Sequence, residues 1–171
     1  MLEVCLSFDG GSRGNPGSAG AGAEVYVRYL QPSNDDGKNV ASENDASGNI
    51  LWEVRRSRKY RHREYLGLKQ TNNQAEYRGV ICGLRQIFDE LVSFTKENSL
   101  VPEACQVNLV VQGDSKLVIE QLKGGYQCNS AKLKPLHKQC NTLISRINSL
   151  ARLTIHFEHI YRQENQVADG K

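Results

Sequence analysis

The sequence lacks the features of a secreted or membrane-spanning protein. Its 171 residues include five cysteines, an odd number, and no CxxC pair, so neither a disulfide framework nor a zinc–cysteine site is indicated. No apolar run approaches the roughly 20 residues that a membrane helix needs, and the strand pattern that begins at Leu2 leaves no room for a secretory signal. We therefore expect an intracellular protein in a reducing compartment, the cytoplasm or the nucleus.

A strong excess of one charge is also missing. The net charge is +3, which is compatible with a polyanionic partner but does not require one. The charge is unevenly distributed, because residues 55–63 read RRSRKYRHR whereas residues 31–50 are polar and net acidic. We interpret the basic run either as a solvated strand face or as a surface that grips nucleic-acid phosphates, and a nuclear localisation patch is a third interpretation.

Hydrophobic periodicity indicates a protein of the α/β class. The polar segment at about 31–50 is expected to be a long, mobile hairpin loop, and we assign it no function. Strands are predicted at Leu2–Phe8, Ala23–Leu30, Leu51–Tyr60, Val107–Val111 and Leu153–Ile160, with a glycine-rich turn over Ser12–Gly22. Helices are predicted from Thr71 to about Asn98, over Ser115–Leu122 and over Leu133–Leu150. Thr71 and Gln74 have the spacing of a capping box at the start of the first helix, and Gly124 and Gly125 are expected to stop the second.

The order of these elements predicts the topology. Short links allow hairpins between the first three strands, whereas helices separate the later strands, which should therefore run parallel to the first. The expected fold is a mixed five-stranded sheet, three antiparallel strands and then two parallel ones, flanked by helices. We expect one domain over residues 1–171, with ligands bound near the carboxyl ends of the strands.

Four acidic residues each lie in a distinctive local pattern. Asp9 opens DGGSRGNPG, Glu76 closes TNNQAE, Asp114 falls within VVQGDS, and Asp169 closes HIYRQENQVAD. Taken singly, each acid has an ordinary structural explanation as a turn residue, a helix-dipole partner, a helix cap or a solvated side chain. All four patterns in this order are far more informative than any one of them.

In this order the motifs resemble those of the type 1 ribonucleases H, and the resemblance covers the chain from Asp9 to Asp169. The stretch after the second helix looks most like the archaeal and plant-type branch, which has no basic protrusion. The resemblance implies the fold predicted above. It also implies an endonuclease that hydrolyses the RNA strand of RNA–DNA hybrids and leaves 5′-phosphate and 3′-hydroxyl ends.

The resemblance further implies that Asp9, Glu76, Asp114 and Asp169 are the catalytic carboxylates and hold two Mg²⁺ ions, with Mn²⁺ as an alternative. Carboxylates are the hard oxygen ligands that Mg²⁺ prefers. Two ions about 4 Å apart can clamp both the entering and the leaving oxygen of a phosphodiester displacement. The implied partner is an RNA–DNA hybrid, and we expect a monomer with no membrane partner.

Further residues receive substrate-binding roles from the same resemblance. The RNA 2′-hydroxyl distinguishes RNA from DNA, so contacts to it should select the strand that is cut. The residues expected along the RNA backbone are Gly11, Ser12 and Asn15. Those expected at the 2′-hydroxyls, or otherwise serving only as helix caps, are Asn72, Asn73 and Gln74. Arg162 is expected to approach a phosphate.

Two departures from the family pattern stand out. Many relatives carry a mobile histidine on a loop before the last carboxylate, whereas here His159 falls within the last predicted strand and is interpreted as a packed or sheet-face residue. Arg162 would then take over the stabilisation of charge. Only two residues follow Asp169, so either the chain is a fragment with a truncated final helix, or this ligand is loosely held.

Two other functions remain open at this point. One is a nucleic-acid-binding module that has lost activity, although no carboxylate is missing. The other is a ribonuclease H domain that works within a larger protein such as a reverse transcriptase. A DNA-cutting exonuclease or integrase would share the sheet, but its first motif would not read DGGSRGNPG.

Overall fold

A computed structural model of the chain describes residues 1–33 and 51–161. Its strands are β1 (Leu2–Arg13), β2 (Gly17–Pro32), β3 (Trp52–Gln70), β4 (Gln106–Gly113) and β5 (Arg152–His159). Its α-helices are α1 (Asn72–Glu97), α2 (Lys116–Lys123) and α3 (Lys134–Leu150), and a short 3-10 helix covers Pro102–Ala104.

The five strands form one sheet in the order β3-β2-β1-β4-β5. β1 pairs antiparallel with β2, and β2 pairs antiparallel with β3. β4 lies parallel to β1, and β5 lies parallel to β4. The predicted mixed sheet of three antiparallel and two parallel strands, flanked by helices, is therefore confirmed.

The first three strands are longer than the sequence pattern predicts. The segment Ser12–Gly22 is not one turn, because β1 continues to Arg13 and β2 begins at Gly17. Glycine and alanine have low strand propensity, but β2 is central here and its backbone is paired on both sides, so tertiary pairing overrides the local preference. β3 likewise continues to Gln70.

The polar insertion is also bounded differently. Gln31 and Pro32 belong to β2, and the Ser33 amide donates a hydrogen bond to the carbonyl oxygen of Leu51 at 2.8 Å. The predicted loop at about 31–50 therefore begins at least two residues later than expected. The rest of that prediction, residues 34–50, lies outside the described residues.

The core lies between the sheet and the helices on one of its faces. Along β1, the buried side chains of Leu2, Val4, Leu6 and Phe8 alternate with half-buried residues, as expected for a strand that presents one face to a core. α1 packs against β1, β2 and α3. Each fully buried aliphatic or aromatic side chain contributes roughly 1.5–3 kcal/mol to stability.

Local capping signals set the helix bounds. The Thr71 hydroxyl accepts from the Gln74 amide, and the Gln74 side chain accepts from the Thr71 amide, which completes the predicted capping box of α1. Ser115 caps α2, and Gly124 ends it in the left-handed conformation with φ +90.

All five cysteines are free, and within residues 1–33 and 51–161 no helix is long and apolar enough to span a membrane.

Two glycines let α1 lie directly on the sheet backbone. A Cβ added to Gly10 would lie 2.3 Å from the Ala75 carbonyl carbon and 2.4 Å from the Glu76 nitrogen. A Cβ on Gly79 would lie 2.7 Å from the Gly22 carbonyl oxygen. No side chain fits at these distances, so the start of α1 is held in backbone contact with β1.

We predict that Gly10→Ala destabilises the fold, because the added methyl group would overlap backbone atoms that cannot rotate away. The expected loss is about 1–3 kcal/mol of unfolding free energy, as for other overpacked sites, measured by urea denaturation. Gly11→Ala is the matched control, since a Cβ there would meet nothing within 4 Å. Equal stability of the two variants would contradict the close approach of helix and strand.

Candidate active site

Three of the four predicted carboxylates converge at one end of the sheet. Asp9 lies on β1, Glu76 near the start of α1, and Asp114 directly after β4. Their nearest ligand oxygens all lie within 4.8 Å of one another. β1 and β4 are parallel, with Phe8 opposite Gly113, so the two aspartates emerge side by side. Asp169 lies outside the described residues.

This donor set suits a hard divalent cation. Carboxylate oxygens are the ligands that Mg²⁺ and Mn²⁺ prefer, whereas a zinc site would be expected to contain histidine or cysteine. Glu76 is only 8% exposed, and Asp9 and Asp114 are half-buried. Three carboxylates held this closely repel one another, and a bound cation would relieve that repulsion. The residues present therefore fit the metal that the resemblance implies.

The carboxylates line a cavity of about 980 Å³. Of the predicted substrate-binding residues, Gly11, Ser12 and Asn72 also line it. Asn15 lies beside it, bonded to the Asn72 backbone, whereas Asn73 and Gln74 are not among its lining residues. Arg162 lies outside the described residues.

β3 contributes three lining residues, Arg63, Glu64 and Tyr65, none of which the sequence pattern singles out as a site residue. Arg63 is only the last residue of a longer basic run, and Tyr65 has no motif of its own. The only available signal is indirect. Gly20 and Gly22 of β2 pair with Tyr65 and Arg63, and small residues in a strand can mark the close approach of a ligand.

Asn72 joins the start of α1 to the end of β1 and to the loop between β1 and β2. Its side-chain oxygen accepts from the Ser12 amide at 2.7 Å and from the Ser12 hydroxyl at 3.0 Å. Its backbone amide donates to the Asn15 side-chain oxygen at 3.0 Å. The Asn72 oxygen is thus fully used in fixing the loop, which leaves its NH₂ group as the part able to donate to a ligand.

His159 lies closer to the carboxylates than the strand pattern indicates. The ring is exposed, and its Nε2 lies 3.1 Å from the main-chain oxygen of Asp114. Its edge also faces Tyr161, at a centroid distance of 6.0 Å. The residue is on β5 as predicted, and of the two expected settings, packed or on the sheet face, its exposure excludes a packed position in the core.

A buried polar chain ties the three helices together behind the site. The Tyr77 hydroxyl, adjacent in sequence to Glu76, donates to the side-chain oxygen of Gln121 on α2 at 2.5 Å. The main-chain oxygen of Gln121 in turn lies 3.1 Å from Nε2 of His137 on α3. Burial, as the largest effect, raises the pKa of the Tyr77 hydroxyl above its usual range. The raised pKa keeps the hydroxyl protonated, and so able to donate, at neutral pH.

Comparison with known proteins agrees with this geometry. A protein family described as "Reverse transcriptase-like" matches residues 101–170. The curated "Bifunctional protein Rv2228c" of Mycobacterium tuberculosis is 31% identical over 168 residues, which are 98% of this chain and 34% of that protein. The chain thus spans about a third of the length of this curated relative.

The solved structures, unlike the curated relative, match this chain over most of their own length. The N-terminal RNase H domain of Rv2228c from M. tuberculosis, solved as a fusion with maltose-binding protein, is 30% identical with a TM-score of 0.60, covering 99% of this chain and 90% of that one. LC11-RNase H1, solved with an RNA/DNA hybrid, is 27% identical with a TM-score of 0.62, covering 98% of this chain and 91% of that one. The chain therefore belongs to the ribonuclease H-like family.

We predict that Tyr77→Phe lowers the unfolding free energy by about 1–3 kcal/mol, because it leaves the buried Gln121 oxygen without its donor. Tyr29→Phe is the matched control, since the buried Tyr29 hydroxyl has no hydrogen-bond partner among the described residues. Removing that hydroxyl should be neutral or slightly stabilising. Urea denaturation of both variants would test this, and an equal loss in both would mean that the Tyr77–Gln121 bond is not the cause.

Proposed function

We propose that this chain is an endonuclease that hydrolyses the RNA strand of RNA–DNA hybrids. The observation that supports this most is the convergence of Asp9, Glu76 and Asp114 within 4.8 Å at the point where the parallel pairing of β1 with β4 ends. The similarity to LC11-RNase H1, which was solved in complex with an RNA/DNA hybrid, supports the same substrate.

The three carboxylates would hold two divalent ions, Mg²⁺ or Mn²⁺, with Asp169 as a fourth ligand. Such ions, when bound, stabilise charge on the phosphate and make water a stronger nucleophile. In the reaction, water adds to phosphorus, the bond from phosphorus to the 3′ oxygen breaks, and that oxygen takes up a proton. The products carry 5′-phosphate and 3′-hydroxyl ends.

The protein's own part is to position the RNA backbone over the carboxylates. Gly11 has open space where a side chain would be, so a nucleic-acid strand can approach its main chain closely. Asn72 lies at the N-terminus of α1 with its NH₂ group available as a donor. We propose that this group donates to an RNA 2′-hydroxyl, which would direct cleavage to RNA.

The alternative of a ribonuclease H unit within a larger protein keeps the same site and reaction. It is supported by the description of the matched family as reverse transcriptase-like and by the greater length of the mycobacterial relative. In both cases we propose that residues 1–171 form one domain. The inactive binding module differs from both in that it would bind the hybrid without cutting it.

We predict that the chain cuts the RNA strand of a labelled hybrid only with Mg²⁺ or Mn²⁺, and that Asp114→Asn lowers kcat more than about 100-fold. Even residues behind metal ligands cost 10–100-fold when replaced, so loss of a ligand should cost more. Mg²⁺ should also raise the Tm of the parent chain, since a ligand that binds only the folded state stabilises it. That rise should shrink in Asp114→Asn.

Asp89→Asn is the matched control for this experiment. It makes the same chemical change at an exposed position of α1, 13 residues beyond Glu76 and so about 20 Å farther along the helix. It should leave both kcat and the Mg²⁺ effect unchanged. Binding of the hybrid without cleavage, at every metal concentration tested, would favour the inactive binding module instead.

We predict that Asn72→Asp weakens hybrid binding about tenfold while leaving Tm unchanged. The carboxylate keeps the oxygen that accepts from Ser12 but loses the NH₂ donor, and a charge-assisted or neutral hydrogen bond to a ligand is worth about 1–2 kcal/mol. Asn148→Asp, on the exposed side of α3, controls for added negative charge. An equal loss in binding to double-stranded DNA would indicate repulsion and would refute a 2′-hydroxyl contact.

A further inference from the structure

A bare strip of backbone separates the carboxylates from the basic strand β3. In the sheet register, Asp9 on β1 is opposite Gly22 on β2, and Gly22 is opposite Arg63 on β3. Residues directly opposite one another project from the same face of a sheet. Asp9 and Arg63 therefore share a face, and the glycine between them places no side chain in the way.

The neighbouring row repeats this arrangement. Gly11 is opposite Gly20, and Gly20 is opposite Tyr65. Tyr65 is 68% exposed, and a Cβ on Gly20 would have its nearest contact at 3.5 Å. Gly20 and Gly22 thus form a surface of β2 without side chains, which we call the glycine floor. β1 lies on one side of it, and Arg63 and Tyr65 of β3 lie on the other. All these residues line the same cavity.

Arg63 differs from the neighbouring cations Arg58, Lys59 and Arg61 of β3, whose charges are paired with glutamates. Lys59 and Arg61 both pair with Glu24, each at 3.2 Å, and Arg58 lies 3.8 Å from a buried glutamate of α1. Arg63 has no ion pair within the part of the chain that the structure describes. Of the basic run, it is also the residue that lines the cavity.

We propose that Arg63 binds a backbone phosphate of the bound nucleic acid and that Tyr65 packs against the adjoining sugar. Guanidinium groups bind phosphate oxygens in a paired geometry. For a duplex whose axis runs across the sheet from β1 to β3, as this proposal requires, two strand spacings, about 10 Å in all, correspond to about three nucleotide steps. The phosphate therefore lies within about three nucleotides of the one that is cut. This inference rests on the proposed function, which it extends from β1 and α1 to β3.

The test measures hybrid binding in an Asp114→Asn background, so that no variant can cut its ligand. Arg63→Ala should weaken binding about tenfold, the effect of losing one charge-assisted contact. It should also reduce the slope of log K against log salt by about 0.9, since one phosphate is no longer neutralised. Arg63→Lys should keep the slope, and Tyr65→Ala should weaken binding without changing the slope.

Arg55→Ala is the matched control. Arg55 is exposed on the same strand, also without an ion pair among the described residues, and eight positions from Arg63 it is about 27 Å away. It should leave both affinity and slope unchanged. In the active chain, with Asp114 present, Arg63→Ala should raise KM and leave kcat within about twofold. The reason is that the contact is equally strong in the ground state and the transition state.

The outcomes separate this inference from the proposed function. If the parent chain binds and cuts the hybrid but Arg63→Ala behaves like Arg55→Ala, the contact with β3 is refuted and the nuclease function stands. Equal losses of slope in both variants would also refute it, because they would indicate a general effect of charge. If the parent chain neither binds nor cuts the hybrid, both proposals fail together.

Discussion

The site depends on backbone contact between α1 and β1. At Gly10 the strand lies so close to Ala75 and Glu76 that no side chain fits between them. This contact brings Glu76, which belongs to a helix, to within 4.8 Å of carboxylates that belong to strands. Packing through side chains would hold the helix several ångströms farther away, since helices pack at roughly 8–10 Å from their neighbours when ordinary side chains intervene. The glycine therefore fixes the geometry of the carboxylates as well as that of the core.

Holding three carboxylates together has an electrostatic cost that the surrounding structure must bear. Their mutual repulsion is greatest when no cation is bound, so flexible supports would let them separate. The supports here are rigid: Asn72 fixes the loop after β1 through Ser12 and Asn15, and Tyr77 fixes the turn of α1 beside Glu76 to α2. A site built on such elements keeps its geometry before a metal or substrate arrives.

The basic run of β3 shows that a cluster of cations does not by itself make a surface that binds nucleic acid. Much of that charge is neutralised within the fold, by Glu24 on the sheet and by Glu90 on α1. β3 is also an edge strand, and charged side chains on an edge discourage pairing with other chains. Three cations of the run, Arg58, Lys59 and Arg61, thus have a structural explanation. Only where it reaches the glycine floor does a cation face the cavity of the carboxylates.

The sequence by itself determined the class of fold, the sheet topology and three of the carboxylates that converge, because these depend on short-range periodicity and on local motifs such as TNNQAE. It also indicated the capping box at Thr71 and the stop of α2 at Gly124. It did not determine where β1 and β2 meet, because the backbone pairing that turns the stretch after Ser12 into strand comes from distant residues. Only the tertiary structure decided that Arg63 and Tyr65 face the carboxylates, since the register of β2 on β3 pairs them with Gly22 and Gly20, more than 40 positions away in the chain, and no local pattern encodes that register.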